Sequence, residues 1–379
     1  MWFDSHVVVM LRMTRINGVC ECEGDGRIRM TDRKLPALGK ITPEFFDEVI
    51  FPRLGARDPA VLVGPQHGVD FGAVSLGDSV VVMSTDPFFI APALGWERAA
   101  WFALHILASD VAVSGIAPRF LTVDLNLPPE LDEAALRTIW NTVHEEAERL
   151  GIAVVSGHTA RYAGCSFPMV GGATVLGIGD RAELVDPRQA GVGDKIIVTK
   201  GPAIETTGLM SVQFPEYITD RFDEETTKSA QEIFYQMSVV RDARVCARAG
   251  GVTAMHDATE CGIWGALFEL ARASGTGLVV EKGAIVTNDV ALKVCDVFDI
   301  DPYSAISEGT LVAAVEASAA AAVLSALGAE GIPVSVVGEL TPRDQGVRII
   351  DERGKHPLEH PGIDPFWGKF EEYLRKQAA

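Results

Sequence analysis

The sequence lacks the cysteine spacings that mark small zinc domains or disulfide frameworks. Its six cysteines form no repeated CxxC or CxxH pattern of the kind that binds zinc. We therefore expect no zinc site, and we interpret the cysteines as reduced thiols of a cytoplasmic protein. They lie at positions 20, 22, 165, 246, 261 and 295.

Long apolar runs and positive charge are also scarce. The apolar runs fall far below the roughly 18 to 20 residues that cross a bilayer, so the sequence predicts no membrane span and no signal peptide. The chain has 33 Lys and Arg against 52 Asp and Glu, a net charge of -19. A protein that follows a nucleic-acid backbone needs the opposite sign, so we expect no nucleic-acid partner.

The length and the order of patterns indicate two domains. A chain of 379 residues that is 47% hydrophobic can bury two cores. Strand-like and helix-like segments alternate from residue 30 onward, which predicts an α/β (α+β) fold. Residues 1–29 show no continuing period, and we interpret them as a doubtful extension before Met30. We place the remaining boundaries to give a first domain at 30–187, a second at 188–345 and a tail with a surface helix at 346–379.

Three acids stand out because each borders or interrupts an apolar stretch. Asp70 follows a glycine and Asp86 precedes a proline, and the sequence VVVMS between them predicts a strand buried on both faces and bounded by turns. Asp110 lies in ALHILASDVAVSGIAP, which predicts a packed helix. Acids at the ends of buried strands usually lie where a sheet opens to a ligand. We interpret the three as parts of one metal-nucleotide site.

Such a site would have to bind phosphate without the common phosphate loop, because no GxxxxGK[ST] motif is present. Mg²⁺ is typically held by a few carboxylates together with substrate phosphates. Without a cation these carboxylates would repel the phosphates, by about 4 kcal/mol for each pair of unit charges at 4 Å and an effective dielectric near 20. We therefore expect phosphate binding to depend on metal and on turn amides.

Further local patterns predict where other elements begin and end. Thr42 before Pro43 predicts a helix with Phe45, Phe46, Val49 and Ile50 on one face. IAVVSGHT predicts a strand that runs into a turn at Gly157. Near the end of the chain, FWGKFEEYLRKQ predicts a surface helix.

Seven short motifs occur in a recognisable order. They are Gly39-Lys40, GVD at 68–70, STDP at 84–87, SDVAVSGIAP at 109–118, SGHT at 156–159, HDATECG at 256–262 and SEGT at 307–310. This ordered set resembles the AIR synthase (PurM)-like superfamily, and most of all its HypE-like AIR synthase-related members, from about residue 39 to 340. The resemblance implies an N-terminal sheet domain that forms a dimer barrel, a C-terminal α/β sandwich domain, and Mg-ATP in the cleft between them.

The resemblance also implies roles for individual residues. The magnesium ligands would be Asp70, Asp110 and Asp257. The positions that contact the nucleotide would be Asp86, Gly157, His158, Thr159 and Glu260, with Lys40 near the phosphates. Lys40, His158 and His256 are the catalytic candidates. Acids near the cleft in this family match Glu205 and Glu308.

Ordinary structural roles stay open for the same residues. Asp70 and Asp86 would also fit as turn acids that bind their own backbone, and Asp110 as the partner of a buried donor. Asp257 would fit as the cap of a helix that begins near Thr259. The other ambiguous residues are the two histidines, which are packing or proton-transfer groups, and Cys261, which is a reactive thiol at a helix N-terminus or a buried inert one.

Three functions follow from this pattern. The first is a HypE-like enzyme, homodimeric, that uses Mg-ATP to phosphorylate and activate a carbamoyl, amide or carbonyl oxygen of an unassigned small-molecule or protein acceptor. The second is a small-molecule kinase of the thiamine-monophosphate kinase type. The third is a non-catalytic ATP-binding assembly or regulatory protein. HypE proper modifies a cysteine at its own C-terminus, and this sequence has none after Cys295. We therefore expect a different acceptor.

Overall fold

A computed structural model describes residue 41 and residues 43–378 of the chain. The contacts divide the chain into a unit at Met1–Pro52 and a larger unit at Arg53–Ala379. Lys40, Thr42 and the doubtful extension 1–29 lie outside the described residues. None of the described helices is both long and apolar enough to span a membrane.

The described part of the smaller unit is a short helical segment. A single turn, α1 (Pro43–Phe45), continues as a π-helix at Phe46–Ile50. The expected helix is present but is mostly π-helical, and Val49 and Ile50 on its apolar face are exposed among the described residues. Pro52 lacks the N–H that a longer helix would need, and the segment passes into a 3₁₀ turn at Phe51–Arg53.

The larger unit contains two β-sheets. Sheet 1 has the strand order β1-β2-β3-β6-β4-β5, and sheet 2 has the order β13-β12-β9-β11-β7-β10-β8. The strands of sheet 1 are β1 (Val61–Val63), β2 (Gly72–Leu76), β3 (Ser79–Phe89), β4 (Pro118–Leu127), β5 (Ala153–Arg161) and β6 (Met169–Asp180). Those of sheet 2 are β7 (Lys195–Thr199), β8 (Val252–Asp257), β9 (Gly277–Glu281), β10 (Leu311–Val315), β11 (Val334–Thr341), β12 (Val347–Asp351) and β13 (Gly354–Pro357).

The helices of the larger unit lie between and after these strands. Their bounds are α2 (Trp96–Ala112), α3 (Glu133–Leu150), α4 (Ile204–Gln213), α5 (Pro215–Arg221), α6 (Glu224–Ile233), α7 (Val240–Ala249), α8 (Gly262–Ser274), α9 (Asp289–Phe298), α10 (Ala320–Ala329) and α11 (Pro365–Ala378). The α/β class expected from the sequence is confirmed. The segment around residues 220–250, which the sequence marks as charged and helical, divides into α6, a 3₁₀ turn at Phe234–Gln236 and α7.

Among the described residues, sheet 1 is covered on one face. In β3, Val80, Val82 and Ser84 are buried while the residues between them are partly exposed. The prediction of a strand buried on both faces was therefore wrong for the described chain, because α2 and α3 pack on one side of this mixed sheet. The strand also continues through Pro87, beside which its register with β6 shifts, so the expected turn is absent there.

Helix α2 is buried on nearly all sides, as its apolar sequence predicts. It packs on β3 and β6 of sheet 1, against α3, and also against α7 of the second half of the chain. The helix therefore carries side chains from sheet 1 toward the strands of sheet 2. Asp110 and Ser109, near its C-terminal end, are both buried.

Sheet 2 is covered on both faces by apolar side chains. Alternate residues of its central strands point to opposite sides, so Ile197 and Ala313 join the core shared with sheet 1. Their neighbours Ile196 and Val312 join a second core beneath α8. This continuous apolar pattern is typical of strands that are buried on both faces.

The C-terminal helix is anchored more firmly than a surface helix. Phe366 at its start is buried, and Phe370 and Tyr373 pack on Phe214 with ring centroids 5.5 and 5.8 Å apart. Phe298 joins the same aromatic cluster. The prediction of a surface helix was thus only half right, because one face of α11 closes the core around α4, α5 and α9.

This anchoring gives a test of the fold. We expect Phe366→Ala to lower the free energy of unfolding by about 3–5 kcal/mol, because it leaves a cavity at a fully buried ring. Leu374→Ala, on the exposed side of the same helix, should change it by less than about 0.5 kcal/mol. Urea unfolding curves measure both, and equal losses in the two variants would contradict the proposed anchoring.

Candidate functional site

Carboxylates from both sheets meet at one place in the larger unit. Asp70 lies in the loop between β1 and β2, and Asp86 lies in β3 of the same sheet. Asp110 is on α2, while Asp257 is the last residue of β8 in sheet 2. The sequence separations are large, and the packing of α2 between the sheets brings the four acids together.

The distances and charges define a compact acidic cluster. Ligand atoms of Asp70, His256 and Asp257 lie within 4.8 Å of one another. Burial raises the pKa of Asp110 well above its ordinary value, and the charge of Asp257 adds to this. The charges of Asp86 and Asp70 act in the same direction, so all four aspartates share one electrostatic environment. Ser84 Oγ donates a hydrogen bond of 2.8 Å to Asp110 Oδ2.

The centre of the cluster contains buried oxygens without protein partners. Both side-chain oxygens of Asp257 and the Oε1 atom of Glu308 accept no hydrogen bond from any described residue. Burial and the charge of Asp70 raise the pKa of Asp257 to about 7. Buried polar atoms are normally paired, and a buried carboxylate needs a proton or a cation. These orphan oxygens therefore fit a hard divalent cation such as Mg²⁺.

A second group of acids extends the cluster toward α4 and α8. The backbone N–H of Glu308 donates to Glu205 Oε2 at 3.0 Å. Burial raises the pKa of Glu205 to about 8, and the charges of Asp364 and Glu260 act in the same direction. Asp364 in turn accepts a hydrogen bond of 2.6 Å from the Cys261 N–H. Glu205 and Glu308 thus lie beside the cluster, as expected.

His256 connects the cluster to α8. Its Nδ1 atom lies 2.8 Å from Asp70 Oδ2 and its Nε2 atom lies 2.8 Å from Glu269 Oε2. Burial opposes the charged form of this ring, but the carboxylates of Asp70 and Glu269 outweigh burial and hold the pKa of His256 well above its ordinary value. The histidine therefore contacts two acids, both of which favour its charged form.

The SGHT motif lies elsewhere in the fold. The structure replaces the expected turn at Gly157 with an uninterrupted strand, β5, at the edge of sheet 1. Asp86 and Gly157 lie in the same row across β6 and β4, which places them about 14 Å apart at the usual strand spacing. His158 points to the opposite, uncovered face, where its Nε2 atom lies 2.9 Å from the hydroxyl of Tyr162.

Gly157 has a packing reason that is independent of any ligand. A Cβ atom at this position would lie 2.6 Å from the carbonyl oxygen of Val123 on β4. The close approach of the two strands therefore requires glycine here. Within one chain, Gly157, His158 and Thr159 are separated from the acidic cluster by two strands.

Two acids of the site were missed by the sequence reasoning. Glu269 is an acid within a mostly apolar helix, which is the same signal that drew attention to Asp110. Asp364 precedes Pro365 and Phe366 and receives the N–H of Phe366 at 2.9 Å, which is a helix-start pattern. The suggestion that Asp257 caps a nearby helix was wrong, because α8 begins at Gly262 with Cys261 as its cap.

The fold and this acidic cluster define a two-sheet protein of the AIR synthase class. Models of the AIR synthase related protein family match the chain at residues 59–179 for the N-terminal domain and 191–351 for the C-terminal domain. The chain belongs to this family.

Individual relatives make the similarity more specific. The carbamoyl dehydratase HypE of Rhodobacter capsulatus is 30% identical, over 81% of this chain and 88% of the relative. The crystal structure of Escherichia coli HypE, a hydrogenase maturation protein, matches with a TM-score of 0.63 and 25% identity over 75% of this chain and 87% of that one. A HypE structure in complex with ATP matches the fold with a TM-score of 0.60 at 20% identity over 84% of this chain and 93% of that one.

The buried acids give a test by pH. The raised pKa of Glu205 means that the folded chain keeps a proton that the unfolded chain releases between about pH 4 and pH 8. Stability in the absence of divalent cations should therefore fall as the pH rises through this range, by roughly 3–5 kcal/mol for this group alone.

The matched variant is Glu205→Gln, which keeps an oxygen acceptor for the Glu308 N–H but cannot titrate. Its free energy of unfolding should vary less between pH 5 and pH 8.5 than that of the wild type, as measured by urea unfolding with a chelator present. Identical pH slopes for the two proteins would show that Glu205 does not titrate with a raised pKa.

Proposed function

We propose that this chain is a HypE-like enzyme that uses Mg-ATP to phosphorylate and activate a carbamoyl, amide or carbonyl oxygen of an acceptor. The observation that carries the proposal is the group of buried, unpartnered carboxylate oxygens on Asp257 and Glu308. Such oxygens are costly unless a cation binds them. The relative named a carbamoyl dehydratase supports the class of acceptor.

The metal would be held by Asp70, Asp110 and Asp257. When bound, Mg²⁺ neutralises phosphate charge and favours attack on the phosphorus. The chain itself fixes the ligands: Ser84 orients Asp110, and the end of β8 fixes Asp257. Holding these groups in place before ATP arrives lowers the cost of ordering them during phosphoryl transfer.

The remaining assignments depend on the family resemblance. Asp86 and Glu260 lie near the cluster and would contact the nucleotide or its metal from two sides. We assign Gly157, His158 and Thr159 to nucleotide binding and Lys40 to the phosphates, as the family pattern implies. Because β5 lies about 14 Å from Asp86 within one chain, a shared contact would need an extended nucleotide or a second copy.

We also propose that the protein is a homodimer through sheet 1. Helices cover one face of this sheet, and the edge strand β5 is exposed along nearly its whole length. Val155 and Met169 are 56% and 53% exposed, so apolar side chains meet water at this edge and on the strand β6. An exposed edge strand with apolar neighbours is a surface that another chain can cover.

The function can be tested through Mg-ATP binding. We expect Asp257→Asn and Asp70→Asn to abolish magnesium-dependent binding of a non-hydrolysable ATP analogue, because each removes a ligand charge from the cluster. Isothermal titration calorimetry measures the affinity. Asp344→Asn, at an exposed acid in the turn between β11 and β12, is the control and should bind as the wild type does.

The same proteins identify the reaction. Release of ADP or AMP that requires a carbamoyl, amide or carbonyl compound would support activation of an acceptor oxygen. A stable phosphorylated product would instead indicate a kinase. Normal Mg-ATP affinity in Asp257→Asn would show that the metal assignment is wrong.

The dimer has its own test. We expect Val155→Asp to convert the protein to monomers, because a charge would be placed where the two copies bury the edge of sheet 1. Val192→Asp is the matched control, because Val192 is similarly exposed and lies in the segment that connects β6 to β7. Multi-angle light scattering gives the mass of each, and a wild type that is already monomeric would refute the assignment.

A further inference from the structure

His256 and Glu269 form a buried connection between the Asp70 loop and helix α8. We propose that they are positioning residues that hold the Asp70 carboxylate beside Asp257 before a cation binds. The inference depends on the proposed metal site, and it assigns a role to Glu269 that family resemblance and sequence pattern did not supply. Neither residue is proposed to touch the phosphates.

The geometry of the three side chains is that of a rigid bridge. The His256 ring contacts Asp70 through Nδ1 and Glu269 through Nε2, each at 2.8 Å. The ring is 3% exposed, whereas the Asp70 side chain is 15% exposed. The planar ring fixes the direction from which Asp70 is held, and Glu269 fixes the orientation of the ring.

A second contact holds the loop that carries Asp70 against Glu269 of α8. Gly68 has a φ of +73°, and a Cβ atom at this position would lie 2.3 Å from the carbonyl oxygen of Glu269. The backbone of the Asp70 loop therefore abuts the backbone of α8 where the side chain of Glu269 meets His256. Backbone and side-chain contacts at Glu269 both fix this loop.

This arrangement matters because Asp70 lies in a segment without regular secondary structure. Asp257, the second proposed metal ligand, is held in place by the pairing of β8 with β10, in which it lies opposite Leu311. The charges of Asp70 and Asp257 repel each other, so an untethered loop would move Asp70 away in the absence of a cation. The bridge to α8 opposes that movement.

Direct binding of the metal by His256 is the main alternative. Its ring atoms belong to the group within 4.8 Å of Asp70 and Asp257. Both ring nitrogens already contact carboxylate oxygens, so a metal would have to displace Asp70 or Glu269 from the ring. Removing a residue that orients a metal ligand through a hydrogen bond typically lowers metal affinity about 10–100-fold.

Three variants separate the contacts. His256→Asn places an amide nitrogen where Nδ1 now meets Asp70, whereas His256→Gln places one where Nε2 now meets Glu269. Glu269→Gln keeps the shape of the side chain and removes its charge. Asp344→Asn is the control, and thermal unfolding checks that each variant is folded.

The first measurement is hydrogen exchange of residues 64–71 in the metal-free protein, which does not depend on activity. We expect faster exchange in His256→Gln and Glu269→Gln, and a smaller increase in His256→Asn. The second is the Mg²⁺ concentration at half-saturation with a non-hydrolysable ATP analogue, measured by calorimetry. It should rise about 10–100-fold in His256→Gln and Glu269→Gln.

The outcomes distinguish this inference from the proposed function. If Asp257→Asn loses Mg-ATP binding but Glu269→Gln leaves both exchange and Mg²⁺ half-saturation unchanged, the positioning role is wrong and the metal site stands. Loss of Mg²⁺ binding in both His256 variants but not in Glu269→Gln would indicate a direct ligand and also overturn it. If Asp257→Asn binds normally, both proposals fail.

Discussion

The burial of several carboxylates in one small volume is the constraint on which the rest of this structure depends. Asp110, Asp257 and Glu308 are removed from water, and burial raises the pKa of each. Like charges in a poorly solvated region repel strongly, and the protein supplies no hydrogen-bond donor to either Asp257 oxygen among the described residues. Such a cluster is stable only when protons or cations balance it.

The architecture explains how the chain tolerates this arrangement. Sheet 1, α2 and sheet 2 form a continuous apolar core, and the acids lie where the loop after β1, the end of α2 and the end of β8 converge. The surrounding core fixes the positions of the carboxylates before any ligand is present. His256 compensates Asp70 on one side, while the Asp257 and Glu308 oxygens stay available on the other.

The two halves of the proposed reaction differ in how the chain supports them. The acids assigned to the metal lie close enough that the charges of Asp70 and Asp257 both act on Asp110. No residue of this chain is assigned to the acceptor. Cys261 is buried and its N–H is bound by Asp364, so in this chain it acts as part of the packing at the start of α8.

The sequence by itself determined the α/β class, the burial of α2 and the candidate acids Asp70, Asp86 and Asp110, because apolar periodicity and acids in apolar surroundings are local signals. Asp257 became a candidate only through the family resemblance. It did not determine that β3 is covered on one face or that β5 passes straight through Gly157, since both depend on which layer packs on a sheet. Only the tertiary structure decided that His256 bridges Asp70 to Glu269. His256 is 186 positions from Asp70 and 13 positions from Glu269 in the sequence. No local sequence pattern predicts contacts over such separations.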